Sequence, residues 1–173
     1  GIDYLRRRLA DKQTRVLLRY KYYEMKNNAQ DFSSLAPEKF KGLKETVGWC
    51  AKAVDSLADR LQFDEFQNDE FNLSEIFLSN NQDILIDSAV LSALISACSF
   101  VYIREDNGYP RLQVIDGSNA TGIIDPVTNL LTEGYAALER DSMGVVKTEA
   151  YFMAGMTEIS VSYTHLRAHE TDQ

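Results

Sequence analysis

Apolar positions along the chain follow two different periods. Large apolar residues recur at helical spacing from Ile84 to Ile95, whereas residues 98–103 are mainly aromatic or β-branched and favour a strand. Asn107-Gly108 supplies the two residues that a tight hairpin turn accepts at positive φ. The stretch 84–115 is therefore predicted to be a buried helix that runs into a strand, a tight turn and a second strand.

The predicted central helix also carries two stripes of small residues. They recur at every fourth position: Ser88, Ser92 and Ser96, and Ala89, Ala93 and Ala97. Because residues four apart share one side of a helix, these stripes form smooth faces on which another backbone can lie close.

A membrane span is the competing interpretation of this stretch. Residues 84–103 contain a single charge, Asp87, and are long enough to cross a bilayer. Four serines interrupt the stretch, its last third favours a strand, and Lys or Arg is absent on its amino side. These features favour a core helix over a span.

Three further helices are predicted before the central one. The first covers residues 2–27, ends at Asn27-Asn28 and is followed by a polar linker at 33–37. The second covers residues 45–61, with its apolar residues on a single face: Val47, Cys50, Val54, Leu57 and Leu61. A short third helix begins at Asn68 or Asn72 and runs to Phe77, and Asn80-Asn81 ends it and caps the central helix.

The carboxyl-side part of the chain has the pattern of short strands. Turn signals recur at fairly regular intervals, at Asp116-Gly117, Asp125-Pro126, residues 141–144 and Ala154-Gly155. Mostly alternating segments lie between them, at 121–124, 134–139, 145–153 and 157–160. The predicted class is α+β, with a helical part at 1–98 and a β-rich part with an antiparallel meander at 99–160.

The last residues have a different origin from the rest. The string VSYTHLRAHET, residues 161–171, is what one reading frame of a transposase sequencing adapter encodes. We therefore expect the natural sequence to break off near Ser160 and residues 161–173 to be a read-through tail, which is excluded from the prediction of the fold. His165 and His169 have the i, i+4 spacing of paired zinc ligands but lie in this tail.

Composition limits the functional classes. The chain has 173 residues and a net charge of −8, which does not suit tight binding of a polyanion such as nucleic acid.

Cys50 and Cys98 stand in apolar patterns without metal-type spacing, so we expect buried thiols in a reducing compartment. The start of the chain lacks the pattern of a secretory leader, and export is not expected.

Few residues outside the tail suggest chemistry. Asp55 and Asp59, four apart on one helix, could act as an acid–base pair, but a solvated helix face accounts for them better. The same holds for a phosphate site at Arg6-Arg7-Arg8. Asp116, Asp125 and Asp141 stand in turns, where Asp bonds to its own backbone.

Motifs of known catalytic and cofactor sites are missing from the sequence. It has no glycine pattern for nucleotide phosphates, no nucleophile elbow, and no histidine outside the tail to serve a cysteine or a metal. We therefore predict no catalytic, cofactor-binding or metal-binding residues. The chain is expected to be structural and not an enzyme.

Four segments, in this order, resemble the amino-terminal half of portal proteins of siphophage-type tailed bacteriophages. They are the aromatic end of the first helix (residues 20–23), VGWCAKAVDSLADRLQFDEF (47–66), IFLSNNQDILIDSAVLSALISACSFVYI (76–103) and NGYPRLQVIDGSNATGIIDPVTN (107–129). The chain departs from the family pattern at three places. Gly48 stands for the asparagine before Trp49, Ala97 for the glycine before the Phe-Val strand, and residues 117–119 for a Ser-Pro segment.

The resemblance implies a wing-region fragment of a portal subunit, covering residues 1–160. Portal proteins form homo-oligomeric rings, commonly dodecamers, at one capsid vertex of the virion, after assembly in the host bacterial cytoplasm. Their partners are the terminase large subunit, capsid protein, head-completion or adaptor proteins, and double-stranded DNA that passes through the channel without sequence-specific binding. A net negative charge suits a channel that lets DNA slide. No membrane partner is implied.

Two alternatives remain open from the sequence alone. The chain could be a fragment of an α+β enzyme whose catalytic residues lie beyond Ser160, or a small soluble adaptor domain. A portal subunit predicts that the natural chain continues into a long helix and that the protein forms rings. A fragment would also expose apolar surface and be marginally stable by itself.

Overall fold

The computed structural model describes residues 1–26 and 48–162. The predicted helix end at Asn27-Asn28, the linker at 33–37 and the start of the second helix at 45–47 lie outside the described residues. So do His165 and His169 in the tail.

The α+β class predicted from the sequence is confirmed. Helices come first and an antiparallel meander follows: α1 (Ile2–Tyr23), α2 (Trp49–Ala58), α3 (Leu73–Ser79), α4 (Gln82–Ser96), β1 (Ser99–Asp106), β2 (Tyr109–Asp116), β3 (Ala120–Ile124), β4 (Leu131–Arg140), β5 (Val146–Met153) and β6 (Met156–Val161). The strands form two antiparallel sheets, one of order β1-β2 and one of order β3-β4-β5-β6. Each predicted turn signal lies between two of these strands.

The chain divides into two compact units. The sheet unit comprises Gly1–Leu9 and the described part of Asn119–Gln173, and the helical unit comprises Ala10–Ser118. Helix α1 contributes residues to both.

The core of the sheet unit joins the first turns of α1 to one face of the sheet. Leu5 and Leu9 are buried against Tyr135 of β4 and Tyr151 of β5, which are direct partners in the strand pairing. Ala136 and Ala150, the next pair along, are also buried. Adjacent strand residues point to opposite faces. The pair Ala136 and Ala150 therefore lies on the face opposite to the pair Tyr135 and Tyr151.

The helical unit is built on α4 and the β1-β2 hairpin. Asn107 and Gly108 both have positive φ and join the strands as a two-residue turn, with Asp106 paired to Tyr109. Helix α4 ends where Ala97 adopts a left-handed conformation, so the apolar stretch divides into a helix of 15 residues and a strand. Among the described residues, no helix has the length and apolar character needed to cross a membrane.

Three details of the predicted helices are wrong. Ile84 was expected in the core but is 68% exposed, because the buried face of α4 runs through Leu85, Ser92 and Ile95. Helix α1 ends at Tyr23, earlier than predicted. Asn81 stands at the N-cap position of α4, but its side chain makes no capping hydrogen bond. Helix α3 begins after Asn72, as predicted, and the Asp69 carboxylate accepts hydrogen bonds from the backbone N–H groups of residues 73 and 74, at 2.6 and 2.8 Å.

The second helix also packs differently from its prediction. Its inner face carries the half-buried residues Ala51, Val54 and Ala58, and no residue of α2 is buried. Cys50 is consequently exposed and Cys98 is half-buried, so the prediction of two buried thiols is wrong for Cys50. Both thiols are free. Residues 62–66 follow without regular secondary structure; the ring of Phe77 of α3 stacks with that of Phe63 and meets that of Phe66 edge to face.

Candidate functional surfaces

Arg6 has a structural role in the sheet unit. Its guanidinium group binds the Glu149 carboxylate of β5 and also pairs with Asp3 at 2.8 Å. The hydroxyl of Tyr135 donates to the Oε2 oxygen of Glu149 at 2.7 Å, and this oxygen also accepts from the Arg6 Nε at 3.3 Å. The hydrogen bond from Arg6 holds the pKa of Glu149 below its usual value, and burial with that same carboxylate raises the pKa of Tyr135 to about 12. Because the Arg6 guanidinium group is paired with protein carboxylates, it is not available to bind phosphate.

The aspartates predicted in turns hold those turns together. Asp125 accepts from the backbone N–H of Val127 at 2.9 Å and from the hydroxyl of Thr128 at 3.0 Å. Asp141 accepts from the N–H groups of Met143 and Val145, both at 2.9 Å. Among the described residues, no group of three or more His, Cys, Asp or Glu side chains is arranged to hold a metal ion.

The small-residue stripe of α4 receives a neighbouring backbone, as its pattern predicted. Gly117, in the turn after β2, donates its N–H to the Ser96 hydroxyl at 3.2 Å. The same hydroxyl lies 2.7 Å from the carbonyl oxygen of Ser92 and 2.5 Å from that of Cys98. A Cβ at position 117 would be only 2.7 Å from the Ser96 oxygen. This contact fixes the end of α4 against the hairpin.

A second polar contact holds the outer edge of β2. The Asn80 side-chain amide donates to the carbonyl oxygen of Pro110 at 3.0 Å, and its oxygen accepts from the N–H of Leu112 at 2.9 Å. The amide thus bonds to β2 as a neighbouring strand would, and it covers part of an edge that would otherwise attract another chain.

The Asp55–Asp59 pair lies at a pocket between α2 and α4. The pocket has a volume of about 350 Å³, and Asp87 of α4 brings a third carboxylate to its lining. The hydroxyl of Tyr23, from α1, donates to Asp55 at 2.8 Å, and this bond is the main cause that raises the pKa of Tyr23. The lining also includes Leu61 and Leu91. The sequence identified two of these acids, but the approach of Asp87 depends on the packing of α2 on α4.

A larger cavity of about 540 Å³ lies between α1, α4 and β2. Its lining includes two carboxylates, from Glu24 and Asp116, and six aliphatic side chains, from Ile84, Leu85, Leu91, Ile95, Leu112 and Val114. Tyr20 and Ser92 also line it, and burial raises the pKa of Tyr20 while the Ser92 and Ser96 hydroxyls lower it. The walls suit an apolar group rather than a phosphate or another anion.

Helix α2 has an outer apolar face, and α1 has an outer mixed face. On α2, Trp49, Ala53 and Leu57 follow one another at four-residue spacing and are exposed, Trp49 to 80%. On α1, Arg15, Leu18, Arg19 and Tyr22 form a second face, with Leu18 and Tyr22 exposed to 47% and 46%. Tryptophan, tyrosine and arginine are the residues enriched where proteins bind one another. Neither face was predicted from the sequence, and of their residues only Leu57 belonged to a predicted apolar helix face.

No protein-family model and no curated protein sequence matches the chain.

Proposed function

We propose that the chain is part of a structural, ring-forming subunit of a bacteriophage portal, which acts at a capsid vertex in genome packaging, head–tail joining and DNA ejection. The observation that carries the proposal is the pair of outer faces on α1 and α2. Side chains typical of protein interfaces are exposed on both helices of a single unit. A subunit of a ring needs such surfaces on two sides, since it contacts a neighbour on each.

The positions of the family-like segments give further support. The segment 76–103 covers the passage from α3 through α4 into β1, and Ala97 there has φ of 69°. Glycine is the residue that adopts this conformation most readily, which gives a physical reason for the glycine of the portal pattern at this point. The Asp-Pro-x-Thr turn likewise has a structural reason, because Asp125 accepts the hydrogen bonds that close it.

The role needs no catalytic centre. Its partners would be further copies of the subunit, the terminase large subunit, capsid protein and head-completion proteins, with DNA passing through the channel. A net charge of −8 suits a wall that does not grip phosphates.

Negative-stain electron microscopy of the complete product of the source gene tests the proposal. Closed rings with a central channel are the expected result. A protein that remains monomeric, or whose remaining sequence carries a nucleophile or ligand motif and turns over a substrate, would contradict it and favour the adaptor or enzyme alternative.

A further inference from the structure

The outer face of α1 carries two arginines that form no ion pair among the described residues. Arg15 and Arg19 lie one turn apart and are exposed. The ion pairs formed among the described residues use the Gly1 ammonium group, Arg6, Lys26, Arg111 and Lys147, and do not include either of them. Leu18 and Tyr22 lie beside them at i, i+3, i+4 and i+7 spacing. The face therefore combines two guanidinium groups with two partly exposed apolar side chains.

The pocket between α2 and α4 has the opposite charge. Asp55 and Asp59 from one helix and Asp87 from the other line it, and Leu61 lies at the same place with about half of its side chain exposed. Guanidinium groups form paired hydrogen bonds with carboxylates, and an arginine can keep its aliphatic stem on apolar surface while it does so. The pocket thus matches the α1 face in charge and in apolar content.

Within one copy these two surfaces are not joined. Tyr23 reaches Asp55 from α1. Arg15 and Arg19, on the same helix, are exposed and form no ion pair with the carboxylates of the pocket among the described residues. A second copy of the chain can bring them there.

We infer that the α1 face of one copy, formed by Arg15, Leu18, Arg19 and Tyr22, binds the acidic pocket between α2 and α4 of the next copy. The inference rests on the proposed ring function and names its subunit interface. The two surfaces differ, so the contact is head-to-tail, and repeated head-to-tail contacts close into a ring when the rotation permits. A chain of net charge −8 repels its own copies over most of its surface, and a local positive face gives this contact its orientation.

Two neutralising double variants test the inference by sedimentation velocity. R15A/R19A removes the positive face, and D59N/D87N removes most of the charge of the pocket while retaining the Asp55 bond to Tyr23. The unmodified chain is expected to self-associate, less strongly at high salt. Each double variant should lower the association constant by on the order of tenfold or more. An equimolar mixture should form one-to-one dimers and nothing larger, because each variant retains the surface that the other has lost.

Two control variants separate the effect of removing these particular charges from a general effect on charge or folding. Arg104→Ala and Asp64→Asn change exposed residues outside both surfaces and should associate like the unmodified chain. Circular dichroism checks that each variant is folded. The inference is overturned if the unmodified chain is monomeric at every concentration, if both double variants associate normally, or if the mixture forms species larger than dimers.

The complete protein distinguishes this failure from failure of the proposed function. Rings that persist with R15A/R19A or D59N/D87N would place the interface elsewhere and leave the portal proposal standing. Absence of rings from the unmodified complete protein would overturn the portal proposal, whether or not the chain forms the pairwise contact.

Discussion

The N–H of Gly117 donates to the hydroxyl of Ser96 at 3.2 Å, at a place where a Cβ on residue 117 would lie 2.7 Å from that oxygen. The contact therefore requires both a hydroxyl on α4 and a residue without a side chain in the turn after β2. It is the point at which the central helix, the start of β1 and the end of β2 meet.

Ser96→Ala should destabilise the chain by about 1–3 kcal/mol, because it leaves the buried N–H of Gly117 without its acceptor. Gly117→Ala should cost about 1–3 kcal/mol by overpacking against Ser96 and Cys98. Urea unfolding measures both. Ser88→Ala, on the exposed end of the same stripe, is the control and should change stability by less than about 0.5 kcal/mol. Equal effects of the substitutions at 88 and 96 would show that the contact contributes nothing.

Replacing Ala97 with glycine should stabilise the chain by about 1 kcal/mol. Ala97 follows α4 in the left-handed conformation, at φ of 69°, where a Cβ is unfavourable. The matched control is Ala93→Gly, one turn earlier within the helix, which should destabilise by about 1 kcal/mol. Thermal unfolding of the two variants should therefore shift in opposite directions. A loss of stability in Ala97→Gly would contradict the conformation assigned to this helix end.

Stability of the sheet unit should fall at both extremes of pH. The pKa of Glu149 is held below its usual 4.5 by Arg6, so this contribution is present above that value and is lost as the pH falls through the lower folded pKa. Burial raises the pKa of Tyr135 from 10.0 to about 12, so its contribution is present below pH 10.0 and is lost as the pH rises towards 12.

Urea unfolding of two variants across the pH range measures how much Glu149 and Tyr135 contribute to the pH dependence of stability. Glu149→Gln should reduce the loss of stability in acid, and Tyr135→Phe should reduce the loss in alkali. Tyr4→Phe, an exposed tyrosine on α1, is the control for the alkaline arm. Unchanged pH profiles in both variants would mean that neither group is linked to folding.

Asn80→Ala should loosen the outer edge of β2. It removes the hydrogen bonds to Pro110 and Leu112, and with them the cover of that edge. Hydrogen exchange at the Leu112 amide should accelerate, and stability should fall by about 1–3 kcal/mol. The neighbouring Asn81→Gly makes a matched control, since Asn81 has positive φ and no side-chain capping bond. If the Leu112 backbone amide exchanges as slowly in Asn80→Ala as in the unmodified chain, the Asn80 side chain does not hold this edge.

The sequence predicted the elements whose signals are local. The hairpin follows from Asn107-Gly108, the meander follows from its turn residues, and the close approach of a backbone to α4 follows from the serine stripe. The start of α3 next to Asn72 was also predicted, but its capping side chain was not, because the backbone conformation decides that Asp69 reaches the free N–H groups.

The candidate surfaces were less predictable than the fold. Periodicity shows that a helix has an apolar face but not whether another element covers it, and α2 turns Ala51 and Val54 inward while Cys50 and Leu57 stay exposed. Asp55 and Asp59 could be found from their spacing. Their neighbours Asp87 and Tyr23 come from distant parts of the chain, and only the packing of three helices brings them together.

Native mass spectrometry of the complete product of the source gene tests the ring-forming role most directly. The proposal predicts a single discrete species whose mass is a whole multiple of the subunit mass, as a closed ring requires, and which persists on dilution. A monomer mass, or a continuous series of masses that grows with concentration, would contradict a closed ring and the portal function proposed for this chain.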